Sequence, residues 1–308
     1  MEAAPVQMRF WIVWLPNTAS ALRLCQFTDL HLSSSFPDTT ATTLDRIASA
    51  VCDWVVCTGD IVHEHDPHAG VLARRLAAAV GERNWTMVRG NHDAEWSKVQ
   101  QAAEQSSTYV KAETVSIVPG VRARFDDGVY APLPIPDNDG AQLWFTHVPP
   151  HVAKEAVRYK LGTDCEEMSV RRPSQSLSAA LHAATSPIWY FFGHDHLNDW
   201  CGSLTEHVRM CYGRVSGGFP HYPKPWFPLG YRVVDLDAEG RIDTWVEVAG
   251  VRIEAQPVWY GWWTCKALHP PEWMEYPYDE LATLERVKGY VVLVLILVAS
   301  ALVTSMAS

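Results

Sequence analysis

At 308 residues, with 48% hydrophobic residues and 14 tryptophans, the chain has core material for one large α/β domain, which excludes disorder over most of its length. A formal charge of -10 at pH 7 opposes a nucleic-acid backbone, so no nucleic-acid partner is expected. Seven cysteines, odd in number and without a C-x-x-C pair, describe neither a disulfide framework nor a structural zinc site.

The first apolar run, Phe10 to Leu15, follows Arg9 and is closed by Pro16. Ala19-Ser20-Ala21 gives it a signal-peptide look, but six residues are short for that, and a leading β-strand is the preferred reading. From Leu22 onward strand and helix signals alternate. Residues 22–28 form a strand pattern, and 43–51 place Leu44, Ile47, Ala48 and Val51 at helical spacing. Residues 54–58 are a second strand, 69–80 carry Leu72, Leu76, Ala79 and Val80 on one helical face, and 85–89 are a third strand. Such a βαβαβ start builds a mostly parallel sheet with functional loops at the carboxyl ends of its strands. After a helix over 95–105 the pattern turns β-rich, with strands at 109–118, 121–125, 142–146, 188–192, 208–212, 231–236 and 242–248. A second, mixed sheet is implied, with turns at Pro119-Gly120 and Asp237-Ala238-Glu239-Gly240.

Cys25, Cys52 and Cys57 sit in or beside apolar runs and read as buried thiols. Cys201 and Cys211 flank a short segment and would pair only in an oxidising compartment, a choice the residues leave open. Residues 255–278 are rich in Trp, Tyr and Pro and read as an aromatic strap against the domain or at a membrane interface. The last twenty residues carry no charge, and 290–303 are apolar but for Ser300. This is a membrane-anchor candidate, with a buried helix as the alternative. Arg286 and Lys288 precede it and no cation follows, which places the preceding domain on the cytoplasmic side by the positive-inside tendency; the lumenal side stays open. The expected organisation is a catalytic domain at 1–254, a strap and linker at 255–288 and a transmembrane helix at 289–306.

Five apolar runs end in metal-ligand residue types: Asp29-Leu30-His31, Gly59-Asp60, Gly90-Asn91-His92-Asp93, His147, and Gly193-His194-Asp195-His196. One such fragment is commonly a turn; five in series, each after a strand, describe a two-metal phosphoesterase. Gly59, Gly90 and Gly193 are read as the sharp turns that aim the ligands into one cleft. The ordered set resembles the calcineurin-like metallophosphoesterase family over about residues 22–248. That resemblance implies a four-layer α/β/β/α sandwich of two mixed sheets and two divalent metal ions, Mn, Fe or Zn. Asp29, His31 and His196 would hold the first, Asn91, His147 and His194 the second, and Asp60 would bridge them. His92 would contact the phosphate and protonate the leaving oxygen, with Asp93 orienting it.

The sequence around Gly193 to Gly202, with Cys211-Tyr212-Gly213, Gly217-Gly218 and Tyr231-Arg232-Val233-Val234, resembles the purple-acid-phosphatase-like branch that includes fungal cell-cycle regulator phosphatases and plant relatives. His63 stands where true purple acid phosphatases carry their tyrosine, which argues for two exchangeable divalent metals over a mixed-valent iron site. The implied activity is hydrolysis of phosphomonoesters, phosphoproteins among them, by in-line attack of a hydroxide bridging the metals. The alternatives are a phosphodiesterase acting on a nucleotide or membrane-associated diester, the choice lying in loops such as 149–173, and a metal-free membrane scaffold. His63, His65 and His68 read as a solvated loop. Lys224 or Arg214, in or near the loop with His221 and Trp226, are candidate phosphate contacts; Arg171 and Arg172 are ambiguous in the same way.

Overall fold

The computed structural model describes residues 22–253 apart from 112, 127, 130–132, 137–139, 157 and 219–226. The leading strand expected before Leu22, the aromatic strap, the membrane anchor and the loop holding His221, Lys224 and Trp226 lie outside the described residues. No helix among the described residues is long and apolar enough to cross a membrane.

The first half follows the expected alternation: β1 (Leu22–Phe27), α1 (Pro37–Ser49), β2 (Trp54–Thr58), α2 (Ala69–Val80), β3 (Asn84–Val88) and α3 (Trp96–Ala103). Helix α1 begins six residues before its apolar period, because Pro37 is suited to a first helical position and Thr40 and Thr43 are buried. Gly81, with φ 69°, ends α2. The Arg83 guanidinium then closes both helices, donating to the carbonyls of Ile47 and Ala50 at the end of α1 and of Ala79 and Val80 at the end of α2.

The second half comprises β4 (Thr114–Val118), β5 (Val121–Asp126), β6 (Ala141–Thr146), a 3-10 turn (His151–Glu155), β7 (Arg158–Leu161), α4 (Gln175–His182), β8 (Ile188–Phe192), β9 (Cys201–Ser203), β10 (Val208–Tyr212), β11 (Tyr231–Leu236), β12 (Ile242–Val248) and β13 (Val251–Ile253). Two mixed sheets result. One runs β13-β12-β11-β1-β2-β3 and the other β4-β5-β6-β8-β10-β9-β7. Strands β11 and β12 therefore correct the sequence reading. They return to the first sheet, where β11 pairs antiparallel with β1, Leu24 opposite Val234. Strand pairing between distant segments is not written in local periodicity.

Side-chain alternation along β6 and β8 builds two cores at once. Phe145 and Phe191 point between the sheets and meet Leu24, Val56 and Val88, whereas Trp144, Tyr190 and Phe192 point outward under α4, with Leu177 and Leu181. The three N-terminal helices cover the other face of the first sheet through Ile47, Leu72, Leu76 and Val99. The order helix, sheet, sheet, helix is the four-layer sandwich. Cys201 and Cys211, directly opposite each other on β9 and β10, form a disulfide, while Cys25, Cys52 and Cys57 are free.

Candidate metal centre

Every predicted ligand follows a strand. Asp29 and His31 come after β1, Asp60 after β2, Asn91 after β3, His147 after β6, and His194 and His196 after β8. The ends of the two sheets meet there, so ligands from both converge. Asp29, His31, Asp60 and His196 offer donor atoms all within 4.8 Å of one another, and Asp60, His147 and His194 form a second such group. Asp60 belongs to both, the position of a bridge. Asn91 joins the second group through Oδ1, 2.9 Å from Nε2 of His147.

The backbone is strained to achieve this. Asp29, His31, Asp60 and His194 have φ of 54°, 42°, 49° and 77°, the left-handed region that side chains other than glycine disfavour. The glycines play a different part from the one expected. Only Gly59 has a positive φ; Gly90 and Gly193 are demanded by space. A Cβ on Gly193 would lie 1.7 Å from Oγ1 of Thr28, and one on Gly90 would lie 2.1 Å from Oδ1 of Asp60.

Surrounding bonds set each ligand's orientation. Asp29 Oδ2 accepts from the Thr28 hydroxyl at 2.6 Å and from the His194 amide at 3.1 Å, leaving Oδ1 facing His196. Asp60 Oδ1 accepts from the His92 amide, leaving Oδ2 toward the rings of His147 at 3.3 Å and His31 at 3.7 Å. Nδ1 of His147 lies 2.8 Å from the Thr58 carbonyl, which can only accept, so Nδ1 carries the proton and Nε2 faces the cluster.

Electrostatics suit cations. Burial opposes ionisation of Asp29, yet the His196 and His147 rings bring its carboxyl down to about 2. Asp60 is likewise lowered against its burial, chiefly by His147. His31 falls to about 3 through burial and neighbouring His196, and His194 to about 4 through burial and His147; both are neutral imidazoles ready to donate. His147 rises to about 9 despite full burial, because the Asp60 carboxylate faces it. Asp29 Oδ1 and Asp60 Oδ2 are buried without a well-formed hydrogen bond and face ring nitrogens of His196 and His147, the arrangement of carboxylates built for metals. Two ionised carboxylates, four imidazoles and an amide oxygen fit a pair of divalent cations.

His92 lies at the edge of the cluster, its ring 5.2 Å from that of His31. Its Nδ1 faces Oε1 of Glu64 at 2.5 Å, and not the expected Asp93. Asp93 is buried under the loops, where Oδ1 accepts the amides of Ile61 and Val62 and Oδ2 that of Gly90. Burial and the Asp60 charge raise its carboxyl to about 6. Glu64 was missed because no motif contains it. Its signal was its place, four residues past Asp60 in the His-rich loop. That loop is only partly solvated: His65 and His68 are exposed, but His63 packs its ring edge-on 5.9 Å from His31.

Two of the four candidate cations are buried in ion pairs, whereas Arg172 is exposed and Lys224 lies outside the described residues. Arg214 is 5% exposed and gives Nη1 to Asp199 at 2.6 Å, and Arg171 is 2% exposed and paired with Asp126 at 2.7 Å. Both are buried in carboxylate pairs, which corrects the reading of them as exposed phosphate contacts. The insert after β6 is laced to the last ligand loop: Asp195 accepts the Ser169 amide, Asn198 those of Cys165 and Glu166, and Asp199 that of Thr163.

Comparison with known proteins agrees with this architecture. A profile of the calcineurin-like phosphoesterase family matches residues 22–198. Among solved structures, purple acid phosphatase PPD1 from yellow lupin (Lupinus luteus) seeds is similar in fold at 10% identity, with TM-score 0.50, over 76% of this chain and 53% of that one. TT1561 of Thermus thermophilus aligns at 9% identity and TM-score 0.45, over 72% of this chain and 97% of that one. No curated protein matches the sequence. With more than half of its length matched by the family profile, the chain belongs to the calcineurin-like phosphoesterase family.

Proposed function

We propose that the chain is a dinuclear metal-dependent phosphoesterase that hydrolyses phosphomonoesters, phosphoprotein side chains among them. The observation that carries this reading is Asp60, shared between two groups of donors drawn from both sheets. Two divalent cations, Mn, Fe or Zn, supply Lewis acidity toward phosphoryl oxygens and lower the pKa of water toward neutrality. The protein contributes the rest. Asp29 and Asp60 hold the negative charge that retains the ions, and the Thr58 carbonyl holds His147 in the donating tautomer. His92, with Glu64 against Nδ1, stands at the cluster's edge to protonate the departing oxygen.

Bound metal and turnover of p-nitrophenyl phosphate and bis-p-nitrophenyl phosphate, measured side by side with His92→Ala, test this reading. Two metals per chain with monoester turnover support it, and the proton-donor role of His92 is read on an alkyl phosphate, whose departing oxygen needs a proton. Preference for the diester would favour a phosphodiesterase, and a folded protein with neither metal nor turnover would favour a scaffold.

For location, the disulfide between Cys201 and Cys211 supports a domain in an oxidising compartment, the lumenal or extracellular side of the proposed C-terminal anchor. Protease digestion of sealed vesicles checks this: a protected domain supports the lumenal side and a cleaved one the cytoplasmic side.

A further inference from the structure

Where the chain enters β2, away from the ligand loops, a second chemical grouping is built on two cysteines. Cys52 lies against Cys25 of β1. It also lines a surface depression of about 480 Å³ together with Asp53, Glu82, Arg83 and Asn84. Nη1 of Arg83 is 3.8 Å from its sulfur. The other bonds of that guanidinium go to the four helix-end carbonyls described above. Carbonyl oxygens orient a cation without cancelling it, so a full positive charge is held beside the thiol.

Glu82 lines the same depression. Asp53 opposes Arg83 from beside Cys52, and its Oδ2 is already engaged by the Arg23 amide. Behind Cys25 lies Glu247, hydrogen-bonded by the Tyr231 hydroxyl. Contact with Cys25, and then Arg83, holds the Cys52 thiol below its ordinary pKa, whereas burial pushes Cys25 up. A half-buried Cys52 at the rim of the depression, 3.8 Å from the Arg83 guanidinium, beside a fully buried Cys25 is the division between an attacking and a resolving thiol. Cys57, fully buried, has its thiol pushed up by burial and by the Asp93 charge, which outweigh the pull of Arg83.

We propose that Cys52 is a peroxide-oxidation site and that Cys25 is its resolving thiol, closing a disulfide between β1 and the segment entering β2. The Cys52 thiolate attacks one oxygen of hydrogen peroxide; the O–O bond breaks, hydroxide leaves, and the sulfur, two electrons poorer, becomes a sulfenic acid. The Cys25 sulfur then attacks that sulfur. The S–O bond breaks and the oxygen departs as water, taking the Cys25 proton.

The test treats the folded full chain with hydrogen peroxide, alkylates remaining thiols and maps peptides without reduction. A linked Cys25–Cys52 peptide with Cys57 still alkylated is expected. Cys25→Ser stops at a Cys52 sulfenic acid captured by dimedone, and Cys52→Ser leaves Cys25 reduced. Failure of the linked peptide to form, or its formation at the same rate as oxidation of Cys57, overturns the proposal. Arg83→Gln slows formation several-fold. Because that arginine also ties α1 to α2, the wild-type chain supplies a second check. The pH midpoint for alkylation of Cys52 lies below that of free cysteine; a midpoint at or above it overturns the role of Arg83.

Discussion

Glu64 Oε1 stands 2.5 Å from Nδ1 of His92, so a carboxylate outside every recognised motif faces the ring nearest the edge of the metal cluster. Glu64→Ala frees that ring. With an alkyl phosphate, whose leaving oxygen needs a proton, kcat falls about 10- to 100-fold. With p-nitrophenyl phosphate, whose leaving group departs unaided, the change is small. Parallel kcat measurements on the two esters decide the matter, since an equal fall on both would rule Glu64 out of leaving-group protonation.

Metal uptake is tied to a proton that His147 holds. Its folded pKa of about 9 is above the ordinary 6.5, so the Asp60–His147 pair stabilises the metal-free fold fully below pH 6.5, and this is lost as pH rises through about 9. A cation must displace that proton. Between those limits binding releases about one proton from His147, and log affinity climbs with a slope of about one per pH unit. Calorimetry at pH 7 and pH 10, in buffers of different ionisation enthalpy, checks the release; equal values at both pH would refute it.

Gly193→Ala tests the claim that this glycine is a matter of space. The new methyl collides with Thr28, whose hydroxyl holds Asp29. A loss of about 1–3 kcal/mol in denaturant unfolding is expected, together with weaker metal retention. Gly120→Ala is the contrast, where φ is 77° but nothing lies within 4 Å; it costs stability without touching the metals.

Arg214→Ala removes the partner of buried Asp199 and is expected to destabilise the fold by about 3–5 kcal/mol. The KM of protein that remains folded should not change. A raised KM at normal stability would restore Arg214 as a substrate contact.

Much of the site was legible because each ligand terminates a strand of strong apolar character. The period of 69–80 and the runs at 54–58, 188–192, 208–212, 231–236 and 242–248 coincide with the observed elements. What could not be read depends on distant parts of the chain. Strands β7 and β9 are short and lie in or beside the insert, whose order comes from bonds to the ligand loop. Helix α4 is eight residues long and gave too little period to recognise. Asp93 sits beside His92 in sequence, but three backbone amides claim its carboxylate. Arg214 and Arg171 look like surface cations until their carboxylate partners arrive from elsewhere in the chain.

The intersheet layer acts as a gauge. Both donor groups take members from each sheet, so the separation between sheets sets every cross-sheet donor distance. That separation is maintained by the stacked rings of Phe125, Phe145 and Phe191, with centroids 5.5 and 5.2 Å apart, pressing on Leu24, Val56 and Val88. Thinning this layer would let the sheets approach and mistune the ion pair from a distance. Divergence is therefore cheapest in the loops and outer helices, and dearest in the plane of aromatic rings that no substrate touches.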